Sequence, residues 1–213
     1  MTSTLLLALL LAADGGQADA GVKTGACGTK PSICFSPGGQ CDLQVASLID
    51  RATKTLEVAI YSINRPSVVE AVLRAKKRGV AVRVVLDTSQ MGDDKELPQL
   101  VQFRDAGILM KRDTHQGIMH LKLVVVDSAW MMIGSFNFTN NASENNDENV
   151  FIWKCPVNAL AYRQEFEFMW GKFKDANEQI QKNLNQADAG QDAGPFVDGG
   201  KKDAGTLLKD AGR

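Results

Sequence analysis

Between His120 and Asn137 the chain carries a histidine, a lysine, an aspartate, a serine and an asparagine in two short clusters. The first reads His120-Leu121-Lys122 and ends at Asp127; the second reads Gly134-Ser135-Phe136-Asn137. Side chains two apart on a β-strand share a face, so His120 and Lys122 project together, as do Ser135 and Asn137. Leu123 to Val126 is apolar and mostly β-branched, the make-up of a buried strand, and Trp130 to Ile133 is a second apolar run. A strand burying that much aliphatic surface, with a histidine and a lysine on one side, implies that this side faces a cleft. Two adjacent strands then bring an imidazole, an ammonium, a hydroxyl and an amide to one spot. Such a group suits attack on a phosphodiester. Imidazole serves as nucleophile or general acid, and the other three hold phosphoryl oxygens where charge develops. The bland alternative is a strand hairpin with a surface histidine and lysine and no chemistry.

The surrounding sequence supplies elements able to position these groups. Ile33 to Phe35 reads as a short strand, Asp42 to Thr53 as a helix, Thr55 to Tyr61 as a strand, and Pro66 to Arg78 as a helix stopped by Gly79. Val80 to Leu86 is a β-branched strand, Leu97 to Asp105 a helix, and Ile108 to Lys111 a strand. After the two motif strands come a polar loop at 139–147, a strand from Val150 to Trp153 and a helix from Pro156 to Phe173. This alternation predicts an α/β fold, a mixed β-sheet flanked by helices.

The wording H-x-K-x4-D, then six residues, then G-S-x-N resembles the HKD signature of the phospholipase D superfamily, with every expected position filled. The likeness extends from Cys34 to about Phe173 and is greatest to the compact bacterial endonucleases and the mitochondrial cardiolipin hydrolase group. The resemblance implies roles for the residues. His120 forms a phosphohistidine in one subunit and protonates the leaving oxygen in the other. Lys122 and Asn137 hold phosphoryl oxygens, Ser135 donates a further hydrogen bond, and Asp127 orients and supports. Single-motif nucleases also have a Glu just before a strand that bonds the site histidine; Glu148 matches it, with Glu144 and Asp147 as rivals in the same loop. The chemistry needs two imidazoles and this chain has one H-x-K motif, so a homodimer with the site on a two-fold axis is expected. The substrate is a phospholipid or a nucleic acid, and a catalytically dead binding module on the same fold is the remoter reading.

No H-x-x-x-H and no clustered carboxylate triad is present, so neither a metal nor another cofactor is expected. His115 lacks a lysine two positions on and reads as a solvated loop residue or a part of the cleft rim. Arg74, Lys76, Lys77 and Arg78 crowd a helix end. There they either complement the helix dipole or contact phosphates. Trp153, Phe166, Phe168 and Trp170 read as core or dimer contacts. A formal net charge of −1, with the charges of residues 27–180 in balance, argues against a broadly basic nucleic-acid surface but leaves room for a local patch. With 44% hydrophobic residues, the 213-residue chain has enough apolar side chains for one domain with a real core.

Residues 1–20 read as a signal peptide, with an apolar run from Leu5 to Ala13 and a small-x-small site at Ala18-Asp19-Ala20, so export to the periplasm or beyond is expected. No basic residue precedes the run, which a start codon assigned too far downstream would explain. Residues 21–30 read as a linker, 31–180 as the catalytic domain, and 181–213 as a disordered low-complexity tail in which Asp-Ala-Gly recurs. No later segment is long enough to span a bilayer, so the mature chain is expected to lack an integral membrane segment. The four cysteines suggest two disulfides, Cys34–Cys41 across the Pro37-Gly38-Gly39 turn and Cys27–Cys155 from the N-terminal arm to the core. Zinc binding by the clustered three is the alternative.

Overall fold

The computed structural model describes residue 27 and residues 29–192 and folds the β-branched runs into one eight-stranded sheet. In chain order the elements are β1 (Ser32–Ser36), α1 (Cys41–Asp50), β2 (Thr55–Ile60), α2 (Pro66–Lys77), β3 (Ala81–Leu86), α3 (Leu97–Asp105) and β4 (Leu109–Arg112). They continue with β5 (Lys122–Val126), β6 (Trp130–Gly134), α4 (Asn140–Glu144), β7 (Glu148–Lys154), α5 (Pro156–Lys172), β8 (Lys174–Asp175) and α6 (Asn177–Asp192). The strand order is β1-β7-β6-β5-β2-β3-β4-β8. The strands β2, β3 and β4 run parallel, which requires the crossover helices α2 and α3, whereas β5, β6, β7 and β1 are antiparallel, with a tight turn from β5 to β6 and residues 135–147, α4 included, from β6 to β7. The two halves meet where β2 pairs antiparallel with β5, setting Ile60 opposite Lys122.

Period-two alternation along the central strands splits the core between the two faces of the sheet. Leu56, Val58, Ile60, Val82, Val84, Leu86, Val124 and Val126 pack with α1, α2, α3 and α6, while Ala59, Val85, Leu123, Val125 and Met131 pack with α5. Glu57 is buried on the α5 side. Its carboxylate accepts from Arg83 of β3 at 3.1 Å, and Arg83 also reaches Glu167 of α5, so α5 is held by ion pairs as well as by Phe166 and Met169. Pro66 opens α2 with a φ suited to a first helical turn, and Gly79 follows the helix at φ 87°, a left-handed position that ends it.

Both expected disulfides are present, Cys34–Cys41 and Cys27–Cys155. Beside the second, the Trp153 indole N–H donates to the Thr29 carbonyl at 2.7 Å. Two expectations need correction, and one strand was not expected. Residues 139–147 are not all loop, because the Thr139 hydroxyl accepts from the Ala142 N–H and caps the short helix α4. The strand β8 was not foreseen; its pairing partners, Lys111 and Arg112, define it. The expected tail boundary at 180 falls inside α6, which runs on to Asp192 with Ile180 buried and Leu184 packed on the core. The proposed signal peptide, most of the linker and residues 193–213 lie outside the described residues. Among the described residues no helix is long and apolar enough to cross a membrane.

Candidate active site

The carboxyl ends of the parallel strands β2 and β3 are the end of the sheet where chain crossings leave room for a ligand. Lys122 begins β5 at this end, Gly134 closes β6 there and Glu148 begins β7 there, as their registers with Ile60 and Val150 require. Four of the six candidate residues, Lys122, Ser135, Asn137 and Glu148, therefore gather at one edge, with His120 just outside β5.

His120 precedes the strand instead of lying within it, and its side chain is exposed. Lys122 is only 5% exposed, and its ammonium donates to the His120 carbonyl oxygen at 2.8 Å. Burial pushes the Lys122 ammonium down from its ordinary range, and the carboxylates of Glu148 and Asp87 oppose that shift. The ring of Tyr61 braces both groups. It lies edge-on to the His120 imidazole at 5.0 Å between centroids and 5.2 Å beneath the Lys122 ammonium. The Tyr61 hydroxyl accepts from Gln90 at 2.8 Å, which fixes the ring.

Ser135 follows the last residue of β6. Its N–H donates to the Asn149 carbonyl, and its hydroxyl oxygen accepts from the Asn149 N–H, each at 3.1 Å. Its own O–H proton remains free to donate. This close pairing needs glycine at 134, where φ is 154° and an added Cβ would lie 2.1 Å from the Asn149 oxygen. Asn137 is half-buried, and its Oδ1 is a buried atom without a partner among the described residues. Glu148 is half-buried and accepts from the Asn146 amide at 3.1 Å. It has no hydrogen bond to His120 in this structure; its field falls on Lys122 instead.

Asp127 lies at the opposite end of β5, in a tight turn where it and Ser128 both have φ 52°. Its carboxylate accepts from the backbone N–H groups of Thr53, Lys54 and Thr55 and from the Thr53 hydroxyl, at 2.7–3.0 Å. Burial opposes its ionisation, but these donors prevail and hold its carboxyl below the usual range. Asp127 thus ties the β5–β6 turn to the α1–β2 loop. The basic end of α2 is also remote from the site, and Arg74 and Arg78 are bonded to Asp50 of α1. Of the aromatic residues expected in core or dimer contacts, Phe166 is buried and stacked on Trp170, while Phe168 is 56% exposed.

Residues 45–170 match the family model described as "Cardiolipin synthase, PLD-like domain". This chain is a member of the phospholipase D superfamily. It is 37% identical to a mitochondrial cardiolipin hydrolase of Xenopus tropicalis over 130 residues, covering 61% of each chain. It is 33% identical to a phospholipase D of Rickettsia felis over 138 residues, 65% of this chain and 68% of that one. The match therefore spans less than two thirds of the frog protein's length. Among solved structures it resembles Nuc of Salmonella typhimurium, a phospholipase D family member, at 31% identity and TM-score 0.66, covering 68% of this chain and 97% of that one.

Several residues of this superfamily member that shape the site were missed in the sequence. Asp87, 1% exposed, immediately follows β3 and accepts from the Met119 N–H at 2.7 Å, anchoring the segment that presents His120. Tyr61 immediately follows β2. Their position at the ends of parallel strands was the available signal. Glu96 is fully buried under the loop after β2, accepting from the Ser62 hydroxyl at 2.7 Å and the Ile63 N–H at 3.1 Å. Burial raises its carboxyl to about 8.

Proposed function

We propose that this chain is a phosphodiesterase that cleaves its substrate through a phosphohistidine on His120. The observation that carries this reading is the exposed His120 imidazole beside the buried Lys122 ammonium, with Ser135 and Asn137 on the adjoining strand end. His120 attacks phosphorus while Lys122, Asn137 and the Ser135 hydroxyl stabilise the phosphoryl oxygens, and the bond to the leaving oxygen breaks. A second imidazole protonates that oxygen, and water then hydrolyses the phosphorus–nitrogen bond and frees His120.

The second imidazole comes from another copy of the chain, so the working unit is a homodimer. Exposed apolar side chains support this. Leu121 adjoins His120 and is 41% exposed, and on the edge strand β1 Ile33 and Phe35 project unpaired at 55% and 67% exposure. The relatives named as cardiolipin hydrolase and phospholipase D support a phospholipid substrate; a nucleic acid is the alternative. Two disulfides suit a chain that is exported.

Turnover of single-stranded DNA and of phosphatidylcholine vesicles in excess chelator, by wild type and His120→Ala, tests the reading. Loss of either substrate with wild type alone supports it and names the class. Equal rates for both proteins would overturn the role of His120, and activity only after adding a divalent metal would overturn the metal-free mechanism. No turnover of either substrate would favour a dead module.

A further inference from the structure

The end of α5 and the segment before His120 enclose a cleft of about 550 Å³ that His120 itself lines. One helical face supplies Glu165, Phe168, Met169 and Lys172, and the segment ahead of β5 supplies Thr114, His115, Ile118 and Leu121. Its floor is apolar, and a lysine and a histidine stand at it. Lys172 holds its ammonium 3.7 Å from the Phe168 ring centroid. His115 is set by a carboxylate: its Nδ1 lies 3.4 Å from Oδ2 of Asp113 and its ring meets Phe173 edge-on. Asp113 is itself fixed, being buried and accepting from the Thr88 N–H at 2.6 Å through its other oxygen.

A buried acid that orients a half-exposed imidazole into the cleft shared with the attacking histidine is more than a loop residue needs. We infer that His115 and Lys172 form a subsite for a second phosphate carried by the same substrate molecule, with Asp113 as its positioning residue. This rests on the phosphodiesterase reading above. Its chemistry is a hydrogen bond to a phosphate oxygen from the imidazolium form of His115, whose Nδ1 faces Asp113, and a point charge from Lys172. The apolar floor takes the carbon skeleton between the two phosphates. Glu165 is the one acidic side chain lining the cleft and lies at its exposed side.

The probes are two substrate pairs that differ by one phosphate. In the nucleotide pair, thymidylyl-thymidine is compared with its 5′-phosphorylated form. In the lipid pair, phosphatidylglycerol is compared with phosphatidylglycerophosphate, both in neutral detergent micelles. Wild type is expected to prefer the two-phosphate member in kcat/KM. His115→Asn and Lys172→Met are each expected to lower that preference about tenfold, mainly through KM, the size of one charge-assisted contact. The pair in which the preference falls identifies the source of the second phosphate. Gln116→Ala, on the same exposed loop, is expected to keep the wild-type preference.

Equal kcat/KM for paired substrates in wild type, or an unchanged ratio in both variants, overturns the subsite. An unchanged ratio with a fall in sedimenting mass would assign the cleft to the subunit interface instead. Turnover of none of the four substrates by wild type would sink the phosphodiesterase reading itself, and the subsite with it.

Discussion

The ammonium of Lys122 donates a 2.8 Å hydrogen bond to the backbone carbonyl of His120. The bond ties the buried charge to the backbone of the residue that carries the exposed imidazole and fixes the chain where it enters β5. Lys122→Gln removes the charge from a buried position aimed at developing phosphoryl charge. Turnover is expected to fall about 10²-fold or more, with the far-ultraviolet spectrum retained.

Glu148 sustains the protonated form of Lys122 against the burial that pushes it down. Glu148→Gln removes that support, so the ammonium loses its proton at a lower pH. The alkaline limb of the kcat profile is expected to move toward neutrality. A profile identical to wild type would show that Glu148 does not act through Lys122.

Asp127 gathers four donors at the far end of β5. Asp127→Ala is expected to cost about 2 kcal/mol in urea melts while the folded fraction keeps kcat within a few-fold of wild type. The carboxyl is held below its unfolded value, so its contribution is present at neutral pH and is lost as pH falls through the folded pKa. The stability difference between wild type and variant should therefore shrink in acid.

Glu96 behaves in the opposite sense. Its carboxyl titrates at about 8 in the folded chain, so the fold binds a proton that the unfolded chain releases near its ordinary value. Stability is full in mild acid and falls as pH rises from the unfolded pKa toward 8. Glu96→Gln stays neutral and can still accept from Ser62 and Ile63. It should stabilise the protein increasingly across that window, by about 2 to 4 kcal/mol at pH 8 by linkage. Melts at pH 5 and pH 8 check the trend.

Gly134→Ala sets a Cβ against the backbone oxygen of Asn149. Relief requires β6 and β7 to part where Ser135 exchanges hydrogen bonds with Asn149. A melting temperature several degrees lower and a loss of turnover are expected together, because the same displacement moves Ser135 and Asn137.

The alternating pattern was legible where it was strong. Val80 to Leu86 became β3 at Ala81–Leu86, and Leu123 to Val126 became the buried body of β5. The H-x-K and G-S-x-N segments do meet, because a tight turn joins β5 to β6 and registers Leu123 opposite Ile133. What escaped depends on contacts distant in sequence. The stretch 181–192 has the Asn, Gln and Asp content of a tail, yet Ile180 and Leu184 dock on the core and carry the helix onward, so packing overrides composition. Asp87, Glu96 and Asp113 are isolated acids in polar stretches, and only the folded chain brings each its donors: Met119 to Asp87, Ser62 and Ile63 to Glu96, and Thr88 to Asp113. Glu148 is expected from the resemblance to bond His120, and in this structure it accepts from Asn146.

The proposed reacting groups and the proposed selecting groups also sit on different parts of the chain. The reacting groups are tied to the antiparallel strands β5 and β6 and the segments at their ends, whereas the cleft wall comes from positions 114–118 and one face of α5. Those wall positions can be randomised without rewriting the registers that align Lys122, Gly134 and Ser135. A combinatorial library limited to residues 115, 118, 168 and 172 is therefore a route to new substrate choice on an unchanged reaction centre.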